Sequence, residues 1–143
     1  MEINSAENEN IRRQNLFDNK LDMWAYCISQ KGSDHIRVGT PCQDYSAFDI
    51  NDDDYCGVFV VSDGHGSAPL SEFGSEFAVQ AVIETVRKCK ADCYSDNDLI
   101  RFFTSDYGKR IVLENWTEKV LSDWTTKDKT EFPTANTDDA VID

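Results

Sequence analysis

The stretch Cys56-Gly57-Val58-Phe59-Val60-Val61-Ser62-Asp63-Gly64-His65-Gly66-Ser67 governs how this chain is read. Cys56 to Val61 is apolar without alternation, which predicts a strand buried on both faces. Asp63 to Ser67 then breaks the strand with two glycines. Beyond the break, helical spacing runs from about Ala68 to Lys90, with Leu70, Phe73, Gly74, Phe77, Ala78, Ala81, Val82, Thr85 and Val86 as the inner stripe. Pro69 suits the first turn, where no amide donor is needed. A carboxylate therefore stands at the end of a buried strand, in a bare-backbone bend, ahead of a helix. Such a bend can be an ordinary helix-capping turn. It can also do chemistry. Asp63 can bind a hard cation, and Gly64 can add its carbonyl oxygen. The Gly64 and Gly66 amides can face an anion, and His65 can transfer a proton near neutral pH.

Working backward, Asn51 to Asp54 reads as a turn and Asp44 to Ile50 as a strand, so the two strands form a hairpin. Its register can bring Asp44, from Pro41-Cys42-Gln43-Asp44, next to Asp63. Two close carboxylates repel unless a cation lies near them. Lys31 to Cys42 carries Gly32, Gly39 and Pro41 and reads as a loop, and Met23 to Ser29 as a strand. Residues 1–20 are polar and read as a flexible arm. Working forward, Ser95 and Asp98 form a capping box for a second helix reaching about Trp124. Leu99, Phe102, Phe103 and Tyr107 give it one stripe; Leu113, Trp116, Val120 and Trp124 continue out of phase, which predicts a break near Tyr107–Gly108. Residues 125–143 read as a polar tail, leaving 21–124 as the folded domain.

Asp plus Glu number 27 against 14 Lys plus Arg, a net charge of −13. That balance argues against nucleic acid and anionic membranes and suits divalent cations. No run approaches the roughly 18 apolar residues of a membrane span, and the polar start lacks a signal pattern; a cytoplasmic location follows. The five cysteines (27, 42, 56, 89 and 93) fit reduced thiols better than a disulfide framework, and Cys89 with Cys93 lacks the second pair of a thiolate zinc site. Three strands and two helices make an α+β inventory with too little material to cover both sheet faces. Either the chain is part of a larger sandwich or the bare face self-associates with a second copy.

The ordered set Trp24, Gly32-Ser33-Asp34-His35, Pro41-Cys42-Gln43-Asp44, Asp63-Gly64-His65-Gly66-Ser67-Ala68 and Gly74-Ser75-Glu76-Phe77-Ala78 resembles the type 2C (PPM-type) metal-dependent Ser/Thr protein phosphatases, in a bacterial branch. The resemblance spans Met23 to Val86 and covers the N-terminal part of such a domain. It implies a four-layer α-β-β-α sandwich, mainly antiparallel, here with two long helices on one face. It implies hydrolysis of phosphoserine and phosphothreonine in a protein substrate, using two Mn²⁺ or Mg²⁺ ions and a water they acidify. By carry-over, Asp63 bridges the metals, Gly64 gives its backbone oxygen, and Asp44 holds metal-bound water or ligates. His65 protonates the leaving oxygen, and His35 stands where a phosphate-contacting basic residue is found. The family's later acidic ligands have no counterpart here, and Asp138-Asp139 takes no such role. The expectation is therefore the front of a phosphatase domain, with weak or no activity alone; the alternative is a non-catalytic module for binding or dimerisation.

Overall fold

The computed structural model describes residues 3–8, 10–18, 22–51, 56–68, 70–92 and 94–126; for 3–8, 51, 56 and 124–126 it describes the backbone alone. In chain order the elements are β1 (Ile3–Asn8), β2 (Ile11–Asp18), β3 (Met23–Gln30), α1 (Ser33–Val38), β4 (Tyr45–Asn51), β5 (Cys56–Ser62), α2 (Ser71–Ala91), α3 (Asp96–Thr104) and α4 (Asp106–Thr126). The predicted hairpin is present: β4 and β5 pair antiparallel from Tyr45 opposite Ser62 to Asn51 opposite Cys56. Strands β1, β2 and β3 form a second antiparallel sheet in that order.

The N-terminal arm expected over residues 1–20 is corrected: residues 3–8 and 11–18 are strands. Their polarity concealed this. Leu16 is 1% exposed and meets Ala25, Phe48 and Ile50 in the core between the sheets, with Met23 and Cys27 against it. Polar residues of β2 join the sheets as well. The Gln14 amide donates to the Phe48 carbonyl at 3.1 Å and accepts from the Phe48 N–H at 3.1 Å. It thus completes backbone groups of β4 as a neighbouring strand would. Ser29 and Ser46 hydroxyls meet at 2.9 Å between the same sheets.

The opposite face of the β4–β5 sheet is covered by α2, which packs on both strands, while α4 packs on α2. Trp116 Nε1 donates to the Gly74 carbonyl at 2.9 Å, and Lys119 pairs with Glu84 at 2.6 Å. Because α2 lies between a sheet and a helix, its buried set is wider than the single stripe expected. Its buried residues are Ser71, Ser75, Val79, Ala81, Ile83, Thr85, Val86 and Cys89, while Phe73 and Phe77 are half-buried. The second helix is divided at Ser105, close to the expected break. A side chain on Gly108 would lie 2.0 Å from the Phe102 carbonyl oxygen, so the first turn of α4 can abut α3 only with glycine there. Tyr107 and Leu113, expected in the inner stripes, are exposed and are corrected to surface positions.

The molecule is thus α+β, with three layers of an α-β-β-α sandwich. Two faces lack cover among the described residues. Alternation in β3 points Trp24 (73% exposed), Tyr26 and Ile28 away from the core. The expectation that β5 is buried on both faces is corrected too. Its Phe59 and Val61, the latter 80% exposed, share the inner side with Phe48 and Ser46 but lie beyond the edge of the covering sheet. The loop expected over 31–42 contains the short helix α1. Pro69, Cys93, the turn at 52–54, the Trp124 side chain and the tail from 127 lie outside the described residues. No described helix is long and apolar enough to cross a membrane. Cys27, Cys42 and Cys89 are free thiols, and burial pushes the Cys27 and Cys89 thiols up.

Gln14→Leu strands two backbone groups of the nearly buried Phe48. It is expected to lower stability by about 2–4 kcal/mol, read as a lower urea midpoint at unchanged slope. The capping box expected at Ser95 is present, and Asp98 accepts from the Ser95 hydroxyl at 2.6 Å and its N–H at 3.1 Å. These bonds hold the Asp98 carboxyl below the usual aspartate range. The cap's contribution is complete above that range and is lost as pH falls through the lowered value. Far-ultraviolet circular dichroism should show α3 fraying in acid, and Asp98→Ala should remove that part of the pH dependence.

Candidate active site

Tyr45 and Ser62 form the terminal rung of the β4–β5 hairpin. One residue further out on each strand come Asp44 and Asp63. Both line a single cleft of about 490 Å³, together with His35, Gln43, Gly64, His65 and Gly66. The five residues picked out from the sequence, His35, Asp44, Asp63, Gly64 and His65, therefore surround one opening. Four arrive on the two hairpin ends. His35 arrives on α1, a further element that the sequence did not reveal.

Gln43, which sequence reasoning named in a motif without a role, joins the two loops. A side chain on Gly64 would put its Cβ 2.4 Å from the Gln43 carbonyl oxygen and 2.8 Å from the Gln43 Cβ. Gly64 is thus required by the close approach of the neighbouring loop. The Gln43 side-chain amide reaches the Gly66 carbonyl at 3.5 Å. Its backbone carbonyl accepts a hydrogen bond from the Ser75 hydroxyl on α2, and Ser75 is 3% exposed. The signal for Ser75 was a small hydroxyl residue four positions from both Ser71 and Val79 on the covered side of the helix.

Each histidine has an intramolecular partner. His35 Nδ1 lies 3.2 Å from the Pro41 carbonyl. A carbonyl can only accept, so Nδ1 carries the proton, and Nε2 donates only when the ring is cationic. His65 Nδ1 lies 3.1 Å from the Ser67 hydroxyl, which can either donate to it or accept from it. Cys42 Sγ reaches the Asp44 carbonyl at 3.6 Å and holds the backbone of that loop.

As cation donors, this set offers two carboxylates and a glycine carbonyl around one cleft, all hard oxygens suited to Mg²⁺ or Mn²⁺. Among the described residues no group of three or more His, Cys, Asp or Glu side chains stands ready to hold a metal. These donors suit a divalent ion in kind, and no closed site is formed among the described residues.

Sheet on sheet with helices on one outer face is compatible with part of an α-β-β-α sandwich, and two acids stand at its hairpin end. The protein phosphatase 2C family model matches residues 31–140, and the chain belongs to that family. The match extends well past Val86, where the motif resemblance ended. No curated protein and no solved structure matches the chain. The family is in general metal-dependent.

Gly64→Ala should force the Gln43 loop away from the hairpin end. The expected cost is about 1–3 kcal/mol in denaturant melts, the range for overpacking a tight contact. Amide chemical shifts should move at residues 42–45 and 63–66 and remain in place in α4.

Proposed function

We propose that this chain is the front part of a Ser/Thr protein phosphatase domain that handles a divalent cation and a phosphoryl group in the Asp44–Asp63 cleft. One observation carries the reading: two carboxylates leave the same terminal rung of a hairpin and line one cleft with a glycine bend and two histidines.

Asp63, Asp44 and the Gly64 carbonyl would hold a divalent ion, Mn²⁺ or Mg²⁺, with water or further chain completing its shell. When bound, such an ion supplies an acidified water as nucleophile and neutralises phosphate charge. His65 holds the proton for the departing serine or threonine oxygen. Its partner Ser67 orients the ring, whichever of the two donates. His35, whose Nδ1 proton is committed to Pro41, contacts a phosphate oxygen through Nε2 in its cationic form. Gln43 and Gly64 keep the two loops at a fixed separation. The substrate is a phosphoserine or phosphothreonine protein, and the setting is the cytoplasm. The bare apolar faces on β3 and β5 are where further cover would be added, by more chain or by a second copy.

Calorimetric titration with Mn²⁺ tests the reading, alongside hydrolysis of a phosphoserine peptide. Weak Mn²⁺ binding is expected, with little turnover. Asp63→Ala should abolish the binding, and Asp44→Ala should weaken it at least tenfold. Undiminished Mn²⁺ binding by Asp63→Ala would refute the assignment.

A further inference from the structure

Arg12 sits on the inner face of β2, opposite Ser29 of β3. Its guanidinium carbon lies 5.2 Å from the centroid of the Tyr45 ring. One of its nitrogens, Nη1, is sealed from solvent and has no hydrogen-bond partner among the described residues. A guanidinium has five donors and keeps its charge under all ordinary conditions. Sealing one nitrogen without an acceptor is unfavourable, and an apolar residue in that place would avoid the penalty. Hydrogen bonding at Nη1 therefore does not account for an arginine at this position.

Its neighbour gives the reason for it. Tyr45 is the residue after Asp44, and its cross-strand partner Ser62 is the residue before Asp63. The ring that Arg12 covers therefore belongs to the rung from which both acids emerge. Beside it, Ser29, the cross-strand partner of Arg12, bonds Ser46, the residue after Tyr45. The first sheet thus grips the site end of β4 at two consecutive residues, once through an arginine on an aromatic face and once through paired hydroxyls. The cation also brings a fixed positive charge to the end of the sandwich where two negative ones leave it.

We propose that Arg12 is a positioning residue that, through the Tyr45 ring, holds the Tyr45–Ser62 rung and so sets the separation of Asp44 and Asp63. It touches neither acid directly in this account and does no chemistry itself. The consequence for a bound cation rests on the reading of Asp44 and Asp63 given above; the mechanical claim does not.

Amide hydrogen exchange on the metal-free protein tests the mechanical claim, and Mn²⁺ titration of the same samples tests its consequence. In Arg12→Met, which keeps the apolar stem, exchange should rise tenfold or more at residues 44–47 and 60–63 and stay unchanged in α2 and α4. Arg12→Lys, which keeps a cation over the ring, should restore most of that protection. Mn²⁺ affinity should fall at least fivefold in the Met variant and recover in the Lys variant. If Arg12→Met does not fold, Tyr45→Leu removes the same contact from the other side and must give the same local pattern. A uniform rise in exchange throughout the chain, or none at residues 44–47, would overturn the proposal. Failure of the unaltered protein to bind Mn²⁺ would defeat the metal reading, while the exchange pattern would still decide the role of Arg12.

Discussion

The cleft depends on the contact between the Gln43 carbonyl and the bare α-carbon of Gly64. At that point the loop leading into β4 and the loop leaving β5 touch with no room for a methyl group. Ser75 on α2 bonds the same carbonyl, so helix, strand entrance and strand exit meet at one peptide unit. The acids on either side, Asp44 and Asp63, inherit their placement from that junction and from the Tyr45–Ser62 rung beneath it. A glycine that sequence logic values for its exposed carbonyl is first of all a packing requirement.

The sheet contributed by residues 3–30 shows how polar residues can build a core boundary. Gln14 satisfies two backbone groups of Phe48, and Ser29 meets Ser46. Without such partners, the β4 backbone next to the sandwich core would lose its hydrogen bonds to water and gain nothing in return. Leu16 supplies the apolar counterpart, filling the space against Ala25, Phe48 and Ile50. Binary patterning treats Gln, Arg and Ser as surface residues and therefore passes over strands whose inner positions they occupy.

Function follows from the same economy of parts. The cleft has acids, a glycine bend and two histidines whose Nδ1 atoms are engaged by Pro41 and Ser67. It does not have a third acidic ligand among the described residues. The bare faces at Trp24 and Val61 lie on the layers that hold the cleft. Exposed apolar faces and a cleft with two acids thus occur on the same layers among the described residues. The family membership that residues 31–140 establish is consistent with both.

The hairpin and the long helix were legible in the sequence because each depends on local order, while the five candidate residues were picked out by local motif together with the family resemblance. An apolar run ends in Asp63-Gly64, the strand register carries Asp44 toward Asp63, and a capping box starts α3 at Ser95. What the sequence could not reveal are the contacts between elements far apart in the chain. Strand β2, the covering of α2 on two sides, the exposure of Phe59 and Val61, and the Gln43–Gly64–Ser75 junction are all of this kind. Local pattern reports what a residue prefers next to its neighbours. Which side of a strand is covered, and which polar side chain finds a partner there, is decided only when distant surfaces meet and exclude water.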